Sequence, residues 1–494
     1  MVLPGIIQGG MGVGVSGWRL ARAVALAGQL GVVSGTALDL VLTRRLQLGD
    51  PEGHLRRALA SFPIPGVAAG ILERYFIPGG KRNDQPFRAK PLPTLHPSRL
   101  LEQLLVVGNF VEVFLAKEGH SRAVGINYLE KIQLPILPSL YGAMLAGVDY
   151  VLMGAGIPRC IPGVLDRLAD GEVASLKLDV VGVPVAQELV TRFDPREFAD
   201  GCVSPLARPK FVPIISSATL GTMLARRSNG RVDGFVVEGF QAGGHNAPPR
   251  GPLRLNAAGE PIYGERDVAD LQAVRSLGLP FWLAGGCSTA QGLAAAMQAG
   301  AAGIQVGTAF AYCDESELAS DVKQRVLLAS LAEAAHVLTD PRASPTGFPF
   351  KVLQLADTLS ERSVYENRQR VCDLGYLRQA FRTEAGTLAW RCPAEPVVDF
   401  LHKGGSTDGT MGRKCLCNAL LSNIGLGQRL PDGTTERPLI TSGDDVAQVA
   451  RFLQPGASSY RAVDVIRQIL AGVPGPPPTA QSITMREAHP QDCV

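Results

Sequence analysis

The sequence predicts a (β/α)8 barrel followed by a mostly helical C-terminal region. Over about the first 340 residues, short apolar runs of strand length alternate with stretches of helical periodicity. These runs are apolar on both faces, as expected of parallel strands covered by helices. Roughly eight such units favour a closed barrel over an open sheet. Glycines and polar residues gather where the runs end, and in a barrel the site lies at the carboxyl ends of the strands.

The predicted elements follow in chain order. The first strand lies in GIIQGGM (5–11), the helix WRLARAVALA (18–27) comes next, and the second strand is LGVVS (30–34). A long helical insertion then precedes the remaining strands. The later strand runs are AVGIN (123–127), GVDYVLM (147–153), KLDVV (177–181), FVPII (211–215), GFVVE (234–238), PFWLA (280–284) and GIQV (303–306), with helices at 218–226 and 290–298 between them.

Three further segments depart from this alternation. Residues 75–95 are polar and Pro-rich, which suggests a lid-like insertion in the barrel domain of residues 1–340. The alternation stops near residue 339, and residues 341–470 form the predicted helical region, which ends with helices at 444–452 and 460–470. Residues 471–494 are rich in proline and polar residues, which predicts a disordered tail.

Composition narrows the class of protein. With 494 residues and 46% hydrophobic content, the chain can bury a large core without disulfides. The net charge of +3 is spread along the chain, which argues against nucleic acid or a membrane surface as a partner. Nine scattered cysteines, the absence of a signal-peptide pattern and the absence of an apolar run of ~18 residues predict a cytoplasmic protein with reduced thiols.

Two glycine turns end the last two barrel strands. WLAGGCS contains Gly285 and Gly286, and IQVGTAF contains Gly307 and Thr308. Backbone N–H groups at such turns, opening helix N-termini, can hold a phosphate, and barrels commonly place one after strands seven and eight. Each glycine alone could serve only to permit a turn. The early glycines of GGMGVG (9–14) lack the acidic partner of a dinucleotide fingerprint, so we interpret them as a flat floor under a planar ring.

A single histidine closes the stretch EGFQAGGH (238–245). Imidazole titrates near pH ~6.5, so His245 can accept or donate a proton under ordinary conditions. The two preceding glycines let the backbone bring the ring against a bound cofactor. The alternative is a histidine whose hydrogen bonds are satisfied within a loop.

The ordered set GIIQGGMGVGVSG, VGIN, EGFQAGGH, LAGGCS and IQVGTAF resembles the nitronate monooxygenase family, formerly called 2-nitropropane dioxygenases. Flavin-dependent enoyl-acyl-carrier-protein reductases share that superfamily. The resemblance covers about residues 1–340 and implies a barrel that binds FMN. It implies that Gly9, Gly10 and Met11 lie beside the isoalloxazine ring and that Asn127 and Glu238 hydrogen-bond it. Relatives often have glutamine in place of Glu238. The resemblance also implies that the cofactor is approached closely by Gly243 and held at its phosphate by Gly285, Gly286, Gln305, Gly307 and Thr308.

The resemblance makes His245 the catalytic residue and suggests two activities. The first is a nitronate monooxygenase, which oxidises a carbanionic nitroalkane or nitronate with O2. The second is an NAD(P)H-dependent enoyl reductase acting on an enoyl thioester, as in polyketide or polyunsaturated fatty-acid pathways. The residues by themselves also fit a different class of enzyme, a phosphate-binding barrel without flavin, such as an isomerase or aldolase. The expected partner is a small-molecule or acyl-thioester substrate, and we allow for a homodimer.

The chain departs from the compact family members in two places. After His245 it continues NAPPRG, where two prolines stiffen the loop and Arg250 offers a cation to an anionic substrate. It also carries the C-terminal region, which compact members lack. Both departures leave the substrate open.

Four cysteines lie in the C-terminal region, at Cys372, Cys392, Cys415 and Cys417. Four thiolates are the right number for a zinc or iron–sulfur site. Their spacing is poor, however, because no CxxC pair occurs among them. Small buried thiols are the favoured interpretation, with a metal site as the alternative.

Overall fold

The computed structural model describes residues 3–181 and 189–471. Apart from Ala471, the predicted disordered tail of residues 471–494 lies outside this description. The strands, in chain order, are β1 Ile6–Gln8, β2 Gly31–Ser34, β3 Val124–Leu129, β4 Tyr150–Gly154, β5 Ala174–Leu178, β6 Val180–Val181, β7 Leu189–Phe193, β8 Lys210–Ile215, β9 Phe235–Glu238, β10 Phe281–Ala284, β11 Gly303–Val306, β12 Val337–Asp340, β13 Phe350–Leu353, β14 Gln379–Arg382 and β15 Leu388–Arg391.

The helices surround and extend the sheet. They are α1 Trp18–Leu26, α2 Leu38–Gln47, α3 His54–Ala60, α4 Val67–Tyr75, α5 Arg99–Lys117, α6 Ile136–Leu145, α7 Ile161–Ala169, α8 Pro195–Phe198, α9 Ala218–Arg227, α10 Leu271–Arg275, α11 Ala290–Gln298, α12 Thr308–Ala311, α13 Ser320–Leu331, α14 Arg362–Asn367, α15 Val397–His402, α16 Thr407–Thr410, α17 Leu416–Ser422 and α18 Ala462–Leu470, with 3-10 helices at Glu265–Asp267 and Asp444–Phe452.

The predicted (β/α)8 barrel is confirmed. Eight strands pair in the order β1-β11-β10-β9-β8-β4-β3-β2, and every pairing is parallel. A parallel bridge between Ile7 and Leu30 closes the sheet, with the Gln8 N–H donating to the Leu30 carbonyl oxygen at 2.9 Å. Side chains such as Leu152, Val236 and Trp282 fill the interior. The carboxyl ends of all eight strands therefore meet at one mouth.

One predicted barrel strand was wrong. The run KLDVV (177–181) does not enter the barrel, and its residues divide between β5 and β6. Strand β5 pairs antiparallel with β7, whereas β6 pairs with β14 of the C-terminal region. Along β5, exposed and buried residues alternate, as they do in a sheet with one solvated face. That alternation separates it from the fully buried barrel strands.

The C-terminal region contains more helix than strand, but it also contains strands that the sequence did not predict. The antiparallel pair β12–β13 begins where the barrel alternation ends. A second antiparallel pair, β14–β15, follows α14. These strands are four residues long, too short for a reliable period-2 pattern.

The C-terminal region packs directly on the barrel. Val446 and Phe452 of the 3-10 helix and Ile466 of α18 belong to the same buried core as Leu20 of α1 and Ile304 of β11. Burying a side chain of this size contributes about 1.5–3 kcal/mol, so the contact holds the C-terminal region against the barrel. Its loops thereby reach the mouth of the barrel.

Residues 75–95 run along the outside of α2. The Lys90 ammonium pairs with the buried Asp39 carboxylate at 2.7 Å, and the Phe87 N–H donates to the Gln428 side chain at 2.9 Å. Within the described chain, none of these residues lines the two cavities at the barrel mouth. The described ranges also contain no helix long and apolar enough to cross a membrane.

Candidate active site

A cavity at the barrel mouth brings together the residues that the sequence singled out. This first cavity has a volume of about 220 Å³ and lies at the ends of β1, β3, β9, β10 and β11. The predicted catalytic residue and every predicted cofactor contact line it: His245, Gly9, Gly10, Met11, Asn127, Glu238, Gly243, Gly285, Gly286, Gln305, Gly307 and Thr308.

The early glycines form one wall of the first cavity. The Gly9 N–H donates to the Val306 carbonyl oxygen at 2.9 Å, which ties the end of β1 to β11. A Cβ added at Gly10 would lie 2.5 Å from the Cβ of Asn127, closer than any side chain allows. Glycine at this position therefore lets β1 and β3 approach each other, and it leaves a flat backbone surface beside the Asn127 amide.

The late glycines line another part of the first cavity. Gly285 and Gly286 have φ values of +102° and +67°, a left-handed conformation that favours glycine. Gly307 differs, because a Cβ there would meet only the Met11 side chain, at an ordinary 3.5 Å. Packing within the chain therefore does not require glycine at Gly307, and the open space in front of it faces the cavity.

Three residues on the cavity wall have a buried side-chain oxygen without a hydrogen-bond partner, and one of them is Asn423 of the C-terminal region. The two such atoms that barrel strands carry are Oδ1 of Asn127 and Oε1 of Gln305. Leaving a buried acceptor unpaired costs about 1–3 kcal/mol, and native proteins rarely do so. A bound molecule with hydrogen-bond donors would satisfy both atoms. This is the observation that most directly indicates a polar ligand in the first cavity.

Glu238 ends β9 and faces the same space. It pairs in register with Ala284 of β10, and Ala284 pairs in turn with Gln305 of β11, so these polar side chains share one level of the barrel. Burial raises the pKa of Glu238 to about 8. Its carboxyl group is therefore neutral at pH 7, and it can both donate and accept a hydrogen bond, as a glutamine side chain does.

His245 stands between two cavities and is held by the C-terminal region. Its Nε2 lies 2.7 Å from the Oγ of Ser344, and its ring meets the ring of Phe350 edge-on with centroids 4.8 Å apart. His245 also forms a backbone bridge with Phe350. Burial lowers the pKa of His245 to about 4, so the imidazole is neutral at physiological pH.

A second cavity of about 510 Å³ adjoins the first. Both cavities are lined by Ala155, Ile214, Glu238 and His245. Ala155 follows β4 with a φ of +54°, a conformation that an alanine rarely adopts and that is common at functional sites. Molecules bound in the two cavities would therefore meet beside His245.

Arg250 lines the second cavity and not the first. The same cavity is lined by Lys131 and by the acidic Glu130, Asp179 and Asp267, so it carries charges of both signs. The loop NAPPRG thus forms part of the wall of the second cavity.

The sequence missed the contribution of the C-terminal region to the first cavity. Ser344 contacts His245, and the Gly443 N–H donates to the Thr308 Oγ1 at 3.0 Å. Thr441 accepts the Gly244 N–H at 2.8 Å. The only signal in the sequence was the polar run TSGDD (441–445), which resembles the start of a helix. A Cβ at Gly243 would lie 2.8 Å from the Gly443 nitrogen, so this glycine is explained by the packing of the C-terminal loop.

The four C-terminal cysteines lie together, despite their spacing in the sequence. Cys372, Cys392, Cys415 and Cys417 all line a void of about 10 Å³ away from the barrel mouth. Among residues 3–181 and 189–471, no three His, Cys, Asp or Glu side chains stand ready-made around a metal position.

The fold and the site define a class of protein: a (β/α)8 barrel whose binding cavity is built from the carboxyl ends of its strands. Residues 196–344 match the nitronate monooxygenase family model. This match confirms the resemblance predicted from the sequence.

Individual relatives agree with this assignment. The chain is 36% identical over 234 residues to a Mycobacterium tuberculosis protein named (3aS,4S,5R,7aS)-5-hydroxy-7a-methyl-1-oxo-octahydro-1H-indene-4-carboxyl-CoA dehydrogenase, covering 47% of this chain and 58% of that one. It is 33% identical over 121 residues to the Pseudomonas aeruginosa nitronate monooxygenase, covering 24% and 32%. The chain thus spans 58% of the length of the first relative and 32% of the length of the second.

Two solved structures were also similar. The alignment with FabK from Thermotoga maritima covers 95% of this chain and 93% of the FabK chain, with a TM-score of 0.44 and 16% identity. Nitroalkane oxidase from Streptomyces ansochromogenes covers 95% of each chain at a TM-score of 0.46 and 16% identity. Similarity at this level supports no conclusion about function.

Proposed function

We propose that the protein is an FMN-dependent oxidoreductase. The observation that carries the proposal is the pair of unpaired acceptors, Asn127 Oδ1 and Gln305 Oε1, on the wall of the first cavity. An oxidised flavin ring offers a hydrogen-bond donor as well as acceptors, and a phosphate suits the backbone at Gly285, Gly286 and Gly307. When bound, FMN would supply a two-electron redox centre to a site that otherwise offers only acid–base groups.

His245 would exchange protons with the substrate. Because its pKa is lowered to about 4, the ring is neutral and can accept a proton over the whole physiological pH range. The Ser344 hydroxyl forms a hydrogen bond with Nε2, so Nδ1 is the ring nitrogen that would contact the substrate. Its place on the wall shared by both cavities suits a proton transfer beside the redox centre.

The size of the second cavity favours an acyl thioester over a small nitronate as the substrate. A volume of about 510 Å³ falls in the range of about 300–1,000 Å³ typical of drug-sized ligands. A Mycobacterium tuberculosis relative that matches 234 residues of this chain carries the name of a carboxyl-CoA dehydrogenase. We therefore propose reduction of an enoyl thioester, in which NAD(P)H would supply the hydride equivalent and a proton from solvent would complete the saturated C–C bond. Oxidation of a nitronate with O2 is the second candidate, which the family match of residues 196–344 supports.

Two measurements test the proposal: the absorbance spectrum of the purified protein and the reduction of its flavin. Purified protein should show flavin absorbance near ~450 nm. Anaerobic addition of NADH or NADPH should bleach it, and an enoyl thioester should restore it. Bleaching by a nitronate, but by neither nicotinamide, would support the second candidate. A protein that purifies without flavin and binds no added FMN would refute the proposal and favour the flavin-free barrel.

The neutral state of Glu238 predicts a pH-dependent flavin affinity. With a pKa of about 8, the carboxyl is protonated below that pH and becomes an anion above it. An anion cannot donate a hydrogen bond and repels ligand acceptors. FMN affinity of the wild type should therefore fall about tenfold or more between about pH 7 and about pH 9.5. A Glu238→Gln variant should bind FMN with the same affinity at both pH values, as measured by flavin fluorescence titration. An equal pH dependence in both proteins would exclude this role for Glu238.

A further inference from the structure

The C-terminal region gathers four cysteines from three separate segments. Cys372 lies between α14 and β14, Cys392 follows β15 directly, and Cys415 and Cys417 stand at the start of α17. All four line the same void of about 10 Å³. The chain between them includes two strands and two helices, so the fold, and not sequence proximity, brings these thiols together.

The four cysteines also pack against one another. Cys392, Ala394 and Cys415 form a small buried cluster, and Cys372 and Cys417 pack against it. The Asn418 side-chain amide donates a hydrogen bond to the Cys415 sulfur at 3.7 Å.

Most charged groups near the cluster are paired with one another. Arg368 pairs with Glu436 at 2.5 Å, and Lys403 pairs with Glu395 at 2.8 Å. Arg378 lines the void beside the four sulfurs.

The four sulfurs line one void but do not stand around a common metal position in the described chain. Metal binding would displace the thiol protons and draw the four sulfurs together, as in other metal sites that form on binding.

We propose that Cys372, Cys392, Cys415 and Cys417 bind a single zinc ion. Four thiolates without another ligand are the donor set of a structural zinc site. The void is about the size of one water molecule, which accommodates one ion and not a polynuclear iron–sulfur cluster. The ion would join three segments that have little regular structure of their own. One of them contains Tyr376, whose hydroxyl donates to the buried Asp39 of the barrel.

Metal analysis of the full-length protein tests the site. Protein purified without chelators should contain about one zinc per chain by plasma mass spectrometry, independently of its flavin content. Cys415→Ser and Cys372→Ser should each lower the zinc content about tenfold or more. Cys313→Ser removes a buried thiol outside the cluster and should retain the metal.

Cobalt provides a measurement that does not depend on how the variants fold. Wild-type protein in which zinc is exchanged for Co²⁺ should show the intense visible bands of a tetrahedral thiolate complex. Stoichiometric zinc together with these bands would support the site. Three results would overturn it: no stoichiometric metal in the folded wild type, iron with acid-labile sulfide, or full zinc content in Cys415→Ser.

Discussion

Replacing His245 with alanine is expected to leave the flavin content unchanged and to lower turnover by about 100-fold or more. The size of the effect follows from the position of the imidazole on the wall that both cavities share. No other imidazole lines either cavity in the described residues, so no second imidazole could take over the proton transfer in the variant. Flavin absorbance and single-turnover rates measured on one preparation separate cofactor loss from loss of chemistry.

The matched variant for this test is Ser344→Ala. It removes the hydroxyl that lies 2.7 Å from Nε2 but leaves the imidazole in place. We expect a smaller loss of kcat, with little change in KM, because the ring would no longer be held in one orientation. The acid limb of the pH profile should lie near pH 4 in the wild type, since His245 is neutral above that value. Wild-type turnover in a folded His245→Ala would remove this residue from the mechanism.

The barrel could be predicted from sequence because its determinants are local. A parallel strand covered on both faces is apolar along most of its length, and the runs 124–126 and 235–237 show this without knowledge of their neighbours. The error at 177–181 has the same origin. Five residues are too few to separate a barrel strand from a strand of a small sheet, and the alternation of buried and exposed residues is clear only over the whole of β5.

The residues of the candidate site also divide into those that could be predicted from the sequence and those that could not. Residues at strand ends, such as Asn127, Glu238 and Gly307, could be predicted because a barrel places all such ends at one mouth. Ser344 and Thr441 could not, because their contacts to His245 and Gly244 span 99 and 197 residues. No periodicity encodes contacts of that length. The gathering of the four cysteines was hidden for the same reason.

The second large effect is expected at Gly307, where a Gly307→Leu substitution should remove the flavin without unfolding the chain. A Cβ at this position meets only the Met11 side chain, at 3.5 and 3.6 Å, which are ordinary contacts. Its backbone φ of −108° suits any residue. The leucine side chain would instead occupy the space that faces the first cavity, where the cofactor phosphate is proposed to bind. We expect flavin content to fall about tenfold or more.

Gly70→Leu is the control for this substitution. Gly70 lies on α4, and no atom lies within 4 Å of a Cβ added there, so the same side chain enters open space far from the barrel mouth. Both variants should unfold thermally close to the wild type, and only Gly307→Leu should lose absorbance near ~450 nm. Full flavin retention in Gly307→Leu would show that the phosphate binds elsewhere. Equal loss in both variants would attribute the effect to folding, and the late glycine turn would then have no special part in binding.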